Sequence, residues 1–371
     1  MLKIAFLRSK SIYDDSRATK EICVLLDAGY EVSVFAWDRD GTANEKCKKI
    51  FGNYKNVHFY FFDSPIGGVI GGKNIFKLLK WCVWLYKSIS KKQFDVIHAC
   101  DFDTAISAYI CSKKKSSILV YDIFDYYVDS HYVPFLLKPL VELIDTFIIN
   151  FSNLTIVCTE QRQSQLRFAR PKKLVVIHNS PNVSTVEKTN ICYDYVYCGI
   201  LNDGRLLKEI LTNYHNYSDL KFCFAGSGKY EQLATDLMNK FPNFTYKGSI
   251  PYSEVLELEQ KSVCLSAIYD PVLKNHKLAA PNKFYESLAL GKPLIVCKGT
   301  GIDEIVNIHN IGNVINYSSK EFYDSIYQFK NNKKLCETID KTSRSLYENE
   351  YNWSIMKSRL IRCYKKFECK E

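Results

Sequence analysis

Several things are missing from this chain of 371 residues, and each absence removes a class of function. None of the fourteen cysteines forms a Cys-x-x-Cys pair. Cys23, Cys82, Cys223, Cys264 and Cys297 sit inside apolar runs, so they read as small buried hydrophobes of a reducing compartment and not as metal or disulfide sites. No apolar run is long enough to span a bilayer; the best candidate, residues 132–151, carries Lys138, Glu142 and Asp145 in its middle. The loop after the first strand, Arg8-Ser9-Lys10-Ser11, has no glycine, and Gly226-Ser227-Gly228 lacks the third glycine of a dinucleotide fingerprint. Both points argue against a nicotinamide or flavin oxidoreductase. No zinc finger, RNP box or basic heptad region occurs, so nucleic acid is not expected as a partner. Residues 2–7 open directly as a strand, so no signal peptide is expected and the chain is expected to be cytoplasmic.

What is present has the make-up of an ordinary folded protein, 47% hydrophobic and 24% charged, long enough for two α/β domains. Strand signals at 2–7, 31–36, 57–61, 95–98, 118–121, 154–158 and 174–177 alternate with helical ones, including helices near 74–90 and 103–112. After a polar stretch at 179–189 the pattern restarts, with strands at 194–198, 220–225, 244–246, 263–266, 294–297 and 313–315. Such alternation implies two mostly parallel sheets covered on both faces. Ligands in such sheets bind beyond the carboxyl ends of the strands, so a cleft between two facing sheets is the expected site. The domains are read as 1–185, 186–350 and a terminal helical stretch, 351–371, expected to pack back on the first half.

Residues 281–301 are the most informative stretch. Pro281 pre-sets a first helical turn, Gly291 and Pro293 stop the helix, an apolar strand follows, and Gly299-Thr300-Gly301 opens another helix whose amides can meet an anion. Lys283 and Glu286 lie three apart on one helical face, which sets a cation for phosphate beside a carboxylate for a diol, or else makes a plain surface ion pair.

The ordered set of motifs resembles the GT-B glycosyltransferases, in particular the retaining family usually grouped as GT4. The likeness runs from Asp15-Ser16-Arg17-Ala18 through Phe94 to Asp101 and Val120 to Asp125, then the 176–182 stretch. It continues with Val196 to Leu201 and Arg205, Phe224-Ala225-Gly226-Ser227-Gly228, and Lys247-Gly248-Ser249-Ile250. The resemblance implies two Rossmann-like domains facing across a cleft. It implies transfer of a hexose-type sugar from a UDP- or GDP-linked donor to a saccharide or lipid-linked glycan acceptor, as in surface polysaccharide or glycan synthesis, with configuration kept.

On that resemblance, Gly199, Arg205, Gly226, Ser249, Ile250, Asn282, Lys283 and Glu286 would hold the donor, Glu286 gripping the ribose and Arg205 and Lys208 the diphosphate. Arg17, Asp101 and His131 would face the acceptor, and Arg205, Lys208, Asp122 and Asp125 would carry the chemistry. Cations aimed at the leaving diphosphate suit the bond that breaks. With no Asp-x-Asp set in the second half, neither a metal nor another cofactor is expected.

Two positions depart from the family. Leu278 stands where a second glutamate is usual, leaving Asn275, His276 or Asn282 to hold the sugar. Phe124 stands where a histidine is usual, between Asp122 and Asp125, one of which could serve as polar contact or base; simple helix capping is the alternative. Two other functions compete: a nucleotide-sugar epimerase, for which no acid/base set is found, and a non-catalytic nucleotide-sugar sensor. Residues 73–92 combine lysines with Trp81 and Trp84 at helical spacing. With a formal charge of +10 this reads either as a helix docking on an anionic membrane or as a core-packed helix with a solvated lysine face.

Overall fold

The computed structural model describes residues 1–64, 75–166, 168–183 and 189–368. The chain forms two compact units, Met1–Asn179 together with the stretch from Met356 onward, and Ser180–Ile355.

Among the described residues the first unit is built on a sheet of seven parallel strands. They are β1 (Lys3–Arg8), β2 (Glu31–Asp38), β3 (Val57–Asp63), β4 (Val96–Cys100), β5 (Ile118–Ile123), β6 (Leu154–Val157) and β7 (Leu174–Val176), in the spatial order β3-β2-β1-β4-β5-β6-β7. Its helices are α1 (Ser16–Asp27), α2 (Ala43–Phe51), α3 (Ile75–Ser90), α4 (Phe102–Lys115), α5 (Tyr127–Ser130) and α6 (Lys138–Phe151). Helices cover both faces, so the central strands are apolar on both sides; in β1 all but Lys3 is buried. The strand order reverses between β1 and β4, and the crevice beyond their carboxyl ends is where Arg8 and Asp101 stand.

In the second unit six parallel strands follow the same plan: β8 (Tyr193–Cys198), β9 (Phe222–Ala225), β10 (Phe244–Tyr246), β11 (Ser262–Ala267), β12 (Leu294–Cys297) and β13 (Gly312–Ile315), ordered β10-β9-β8-β11-β12-β13. Its helices are α7 (Leu207–Asn213), α8 (Glu231–Lys240), α9 (Tyr252–Gln260), α10 (Asn282–Leu290), α11 (Ile302–His309), α12 (Ser319–Asn331) and α13 (Lys333–Leu346). The reversal here lies between β8 and β11. A last helix, α14 (Trp353–Glu368), belongs from Met356 on to the first unit. There Tyr364 meets His98 Nδ1 at 2.6 Å and Lys357 pairs with Asp27 at 3.0 Å.

Within α3, Trp81, Leu85 and Ile89 repeat every four residues and are fully buried, and Trp84 packs on Phe35, Phe62 and Trp81. Trp81 of the basic segment is therefore a core side chain and Trp84 is half-buried against that core; Lys73 and Asn74 lie outside the described residues, as do 184–188 of the polar stretch between the halves. Every cysteine among the described residues is free.

Candidate functional site

In the second unit the loops beyond β8, β9 and β10 are knit backbone to backbone. The Gly199 amide donates to Ala225 O (2.9 Å), and the Gly226 amide to Gly248 O (2.7 Å). A Cβ on Gly226 would sit 1.8 Å from Gly199 O, in a residue whose φ is +132°. Glycine is required there by close approach, which is why the Gly-Ser-Gly run exists without a dinucleotide fingerprint. Ser249 is exposed and Ile250 half-buried just beyond β10.

The segment after β8 carries Arg205. Its guanidinium lies over the Tyr269 ring, 5.1 Å from the centroid, and beside the Tyr197 phenol. The next residue, Leu206, is held at φ +60°, an uncommon conformation for a large side chain, with its amide bonded to Tyr317 Oη at 2.7 Å. Such an outlier persists only where its surroundings over-determine it, and it fixes the direction in which Arg205 leaves the loop. The Asp270 amide bonds Gly204 O at 2.9 Å, so the loop carrying Asn275 and His276 abuts Arg205's own. Among the described residues Asn275 Oδ1 and His276 Nδ1 are buried polar atoms with no hydrogen-bond partner. Lys208 is exposed one turn further on.

Helix α10 begins at Asn282, which is exposed, and buries Glu286. Lys283 Nζ stands 2.7 Å from Glu286 and 2.6 Å from Glu259, a fully buried carboxylate at the end of α9. Tyr252 Oη donates to Glu286 Oε1 at 3.1 Å. Burial and then the neighbouring Glu286 push the Glu259 carboxyl up to about 8. Burial works to lower the Lys283 ammonium, but Glu259 and Glu286 outweigh it and leave it well above its usual range. The pair expected to offer a cation to phosphate is thus a buried triad, neither an open phosphate clamp nor a surface ion pair. At the next helix the expected anion place is filled from within: the Gly299 amide donates to Asp303 Oδ2 at 2.7 Å, and Thr300 Oγ1 to Cys297 O. Burial raises the Tyr197 phenol, and the positive charges of Arg205 and Lys283 work against that rise.

In the first unit Arg8 pairs with Asp101 and, at 2.7 Å, with Asp15. Arg17 pairs with Asp122 at 2.6 Å and Glu21 at 3.0 Å. Phe124 lies against both guanidinium groups, 4.2 and 4.5 Å from its ring centroid, so the aromatic ring at the histidine position makes two cation–π contacts. Asp101 adopts φ +64°, ψ 166°, a glycine-like region, and is held there by Arg8 and by the Phe124 amide at 2.8 Å. Asp122 has no exposed surface. Burial alone would raise its pKa; Arg17 and His98 outweigh that and hold it at about 2. Burial and the adjacent Asp122 push Glu21 well above its ordinary value.

Glu21, His98 and Asp122 bring ligand-type atoms within 4.8 Å of one another, but Arg17 already pairs with both carboxyl groups. Of the two carboxylates flanking Phe124, Asp125 is the one that reaches solvent, paired with Arg162 at 2.7 Å. His131 stacks on Tyr127 (4.3 Å) and lies 2.8 Å from Ser130 Oγ. Arg17, Asp101 and Asp122 therefore converge around Phe124, with His131 held on α5 and its cap.

Glu259, Tyr252, Tyr197, Tyr269 and Arg8 were not singled out from sequence. Glu259 ends an otherwise ordinary amphipathic helix, and nothing local marks a glutamate whose partner is Lys283.

No family model matches this sequence, and the search of curated proteins returns no match either. Solved structures do match. A sucrose-phosphate synthase from Thermosynechococcus elongatus superposes with a TM-score of 0.73 at 15% identity, over 99% of either chain. HepE from Anabaena, in complex with UDP-glucose, gives 0.70 at 13% identity over 99% of this chain and 100% of its own. A point mutant of TarM from S. aureus, in complex with fondaparinux, α-GlcNAc-glycerol and UDP, gives 0.69 at 13% identity over the whole of both chains. At these identities the likeness is one of fold: the chain has the GT-B architecture of two Rossmann-like, parallel-sheet units.

Proposed function

We propose that the chain is a glycosyltransferase that moves a sugar from a nucleoside diphosphate sugar, UDP- or GDP-linked, to a saccharide or lipid-linked saccharide acceptor in glycan synthesis. The observation that supports it most is that the second unit holds both a positioned arginine, Arg205, and the Lys283–Glu286 pair at the head of α10. Both occur in a fold whose neighbours include proteins solved with UDP-glucose and with UDP.

Breaking the bond between the anomeric carbon and phosphate leaves positive charge on the sugar ring and an extra negative charge on the diphosphate. Arg205, fixed by Tyr269 and the strained Leu206, is placed to meet that charge as it grows. Glu286 Oε1 and Oε2 each keep a lone pair beyond those given to Tyr252 and Lys283, enough to accept the two ribose hydroxyls. Lys283, held between Glu259 and Glu286, acts on Glu286 and not on phosphate. Asn275 and His276 supply the polar atoms for sugar hydroxyls that Leu278 cannot. In the first unit Asp125, not Asp122, is the carboxylate available to an acceptor hydroxyl. Retention of configuration is part of the proposal and rests on the sequence resemblance.

The test is binding and turnover with a panel of UDP- and GDP-sugars. Glu286→Ala should weaken nucleotide binding by about 1–3 kcal/mol, the loss of a charged hydrogen-bond acceptor. Unchanged affinity for UDP, GDP and their sugars, with no transfer or hydrolysis by the parent protein, would overturn the assignment.

A further inference from the structure

Three helices of the first unit, α3, α4 and α6, bury their inner sides in one core with the sheet, through Trp81, Leu85, Ala105, Ala108, Ile148 and Ile149. Their outer sides are not the polar surface that a solvated helical layer carries. On α6 and the turn before it, Phe135 and Leu136 are 83% and 87% exposed, and Leu140, Leu143, Phe147 and Phe151 follow at helical spacing on the outward stripe. On α3 the stripe opposite Trp81 holds exposed Phe76, Leu79 and Val83. Aromatic contacts continue this surface across the layer: Tyr109 of α4 meets Phe147 at 5.3 Å and Phe151 at 6.1 Å. An exposed apolar surface of this extent marks an interaction site.

Its charge identifies the occupant. Lys80, Lys87, Lys113 and Lys114 are exposed on the same helices, and Lys113 Nζ sits 5.1 Å from the Phe151 ring centroid. Of the acidic residues on α3, α4 and α6, Asp103 and Asp145 are buried, which leaves Glu142 alone to oppose them. A symmetric contact with a second copy would set these lysines against one another. A bilayer rich in anionic lipid instead takes the aromatic and leucine side chains into its interface and the ammonium groups onto its headgroups.

We infer that the outer face of α3, α4 and α6, led by Phe135 and Leu136, is a peripheral docking surface for an anionic membrane. The docking element is thus the α6 side of the layer, with α3 contributing its outward stripe and not its tryptophans. Among the described residues no helix is long and apolar enough to cross a membrane, so the contact is one of surface insertion. The inference stands apart from the glycosyl-transfer reading, and vesicle binding is measured without any nucleotide.

The experiment is cosedimentation of the full chain with vesicles of phosphatidylcholine, alone or mixed with phosphatidylglycerol. Binding should require phosphatidylglycerol at low salt and fall as salt rises. Lys80→Glu, Lys87→Glu and Lys113→Glu together should weaken it on the order of 100-fold. Phe135→Ser with Leu136→Ser should also abolish tight binding while leaving the thermal unfolding curve in place, since both side chains are already exposed. Any of four results would overturn the inference: no binding to the anionic vesicles at low salt, equal binding to phosphatidylcholine alone, binding that neither variant weakens, or self-association removed by the serine variant in the absence of vesicle binding.

Discussion

At the scale of single residues the second unit turns on two side chains in opposite situations. Arg205 is partly buried and oriented by an aromatic face, with some of its surface left to a ligand. Arg205→Ala should lower kcat on the order of 100-fold and raise the donor KM far less, because the charge it meets grows toward the transition state. Arg205→Lys should restore only part, since a point charge cannot hold two phosphate oxygens. Single-turnover assays decide it; full turnover by the alanine variant would make Arg205 a surface residue.

Glu259 is the reverse case, a carboxyl with no exposure whose pKa burial and Glu286 push up to about 8. Between its unfolded value of 4.5 and about 8, the folded state keeps a proton that the unfolded chain has released, so stability should fall as pH rises through that window. The contribution has a slope of at most about 1.4 kcal/mol per pH unit. Glu259→Gln cannot titrate, and urea unfolding from pH 5 to 8 should show the shallower dependence. An equal slope in both proteins would assign the effect to another group.

Among the elements, the loops after β8, β9 and β10 are joined backbone to backbone. Gly226→Ala would place a methyl 1.8 Å from a backbone oxygen that cannot swing aside, on top of the strain at φ +132°. Gly248→Ala meets nothing within 4 Å and bears only the left-handed strain of φ +64°, about 1–2 kcal/mol. The Gly226 variant should therefore melt well below the Gly248 variant in the same scan, and the reverse order would mean that this joint is not what holds the loops. Helix α6 shows how far an element's face depends on its place. The 132–151 segment reads from sequence as an apolar run interrupted by charges, and in the fold Asp145 turns inward to Tyr121 Oη at 2.6 Å while Leu143 and Phe147 turn out.

For the molecule as a whole, the first unit is not contiguous in sequence. It includes α14 from Met356 on, where Met356, Leu360 and Tyr364 are fully buried. Ending the chain at Ile355 removes those three side chains, at about 1.5–3 kcal/mol each for a large apolar group, a loss comparable to the stability of a domain. The truncated protein should lose residues 1–179 to limited proteolysis while the second unit survives as a resistant fragment; equal resistance of both units would show that α14 is dispensable.

The sequence alone determined the α/β class, the positions of the strands and the existence of two sheets. A parallel strand covered on both faces must be an apolar run, and such runs are readable without knowing their neighbours. It also determined that Lys283 and Glu286 share a helical face, since the helical period guarantees it. The compact units divide after Asn179 and after Ile355.

Only the tertiary structure decided which polar groups are spent on one another. Asp122 belongs to Arg17, more than a hundred residues away, and Glu259 closes on Lys283 from a different helix. It also decided that Trp81 faces the core while Phe135 and Leu136 face out. The physical reason is that burial of a charged or aromatic side chain is set by the partner that compensates or covers it, and that partner comes from a distant part of the chain.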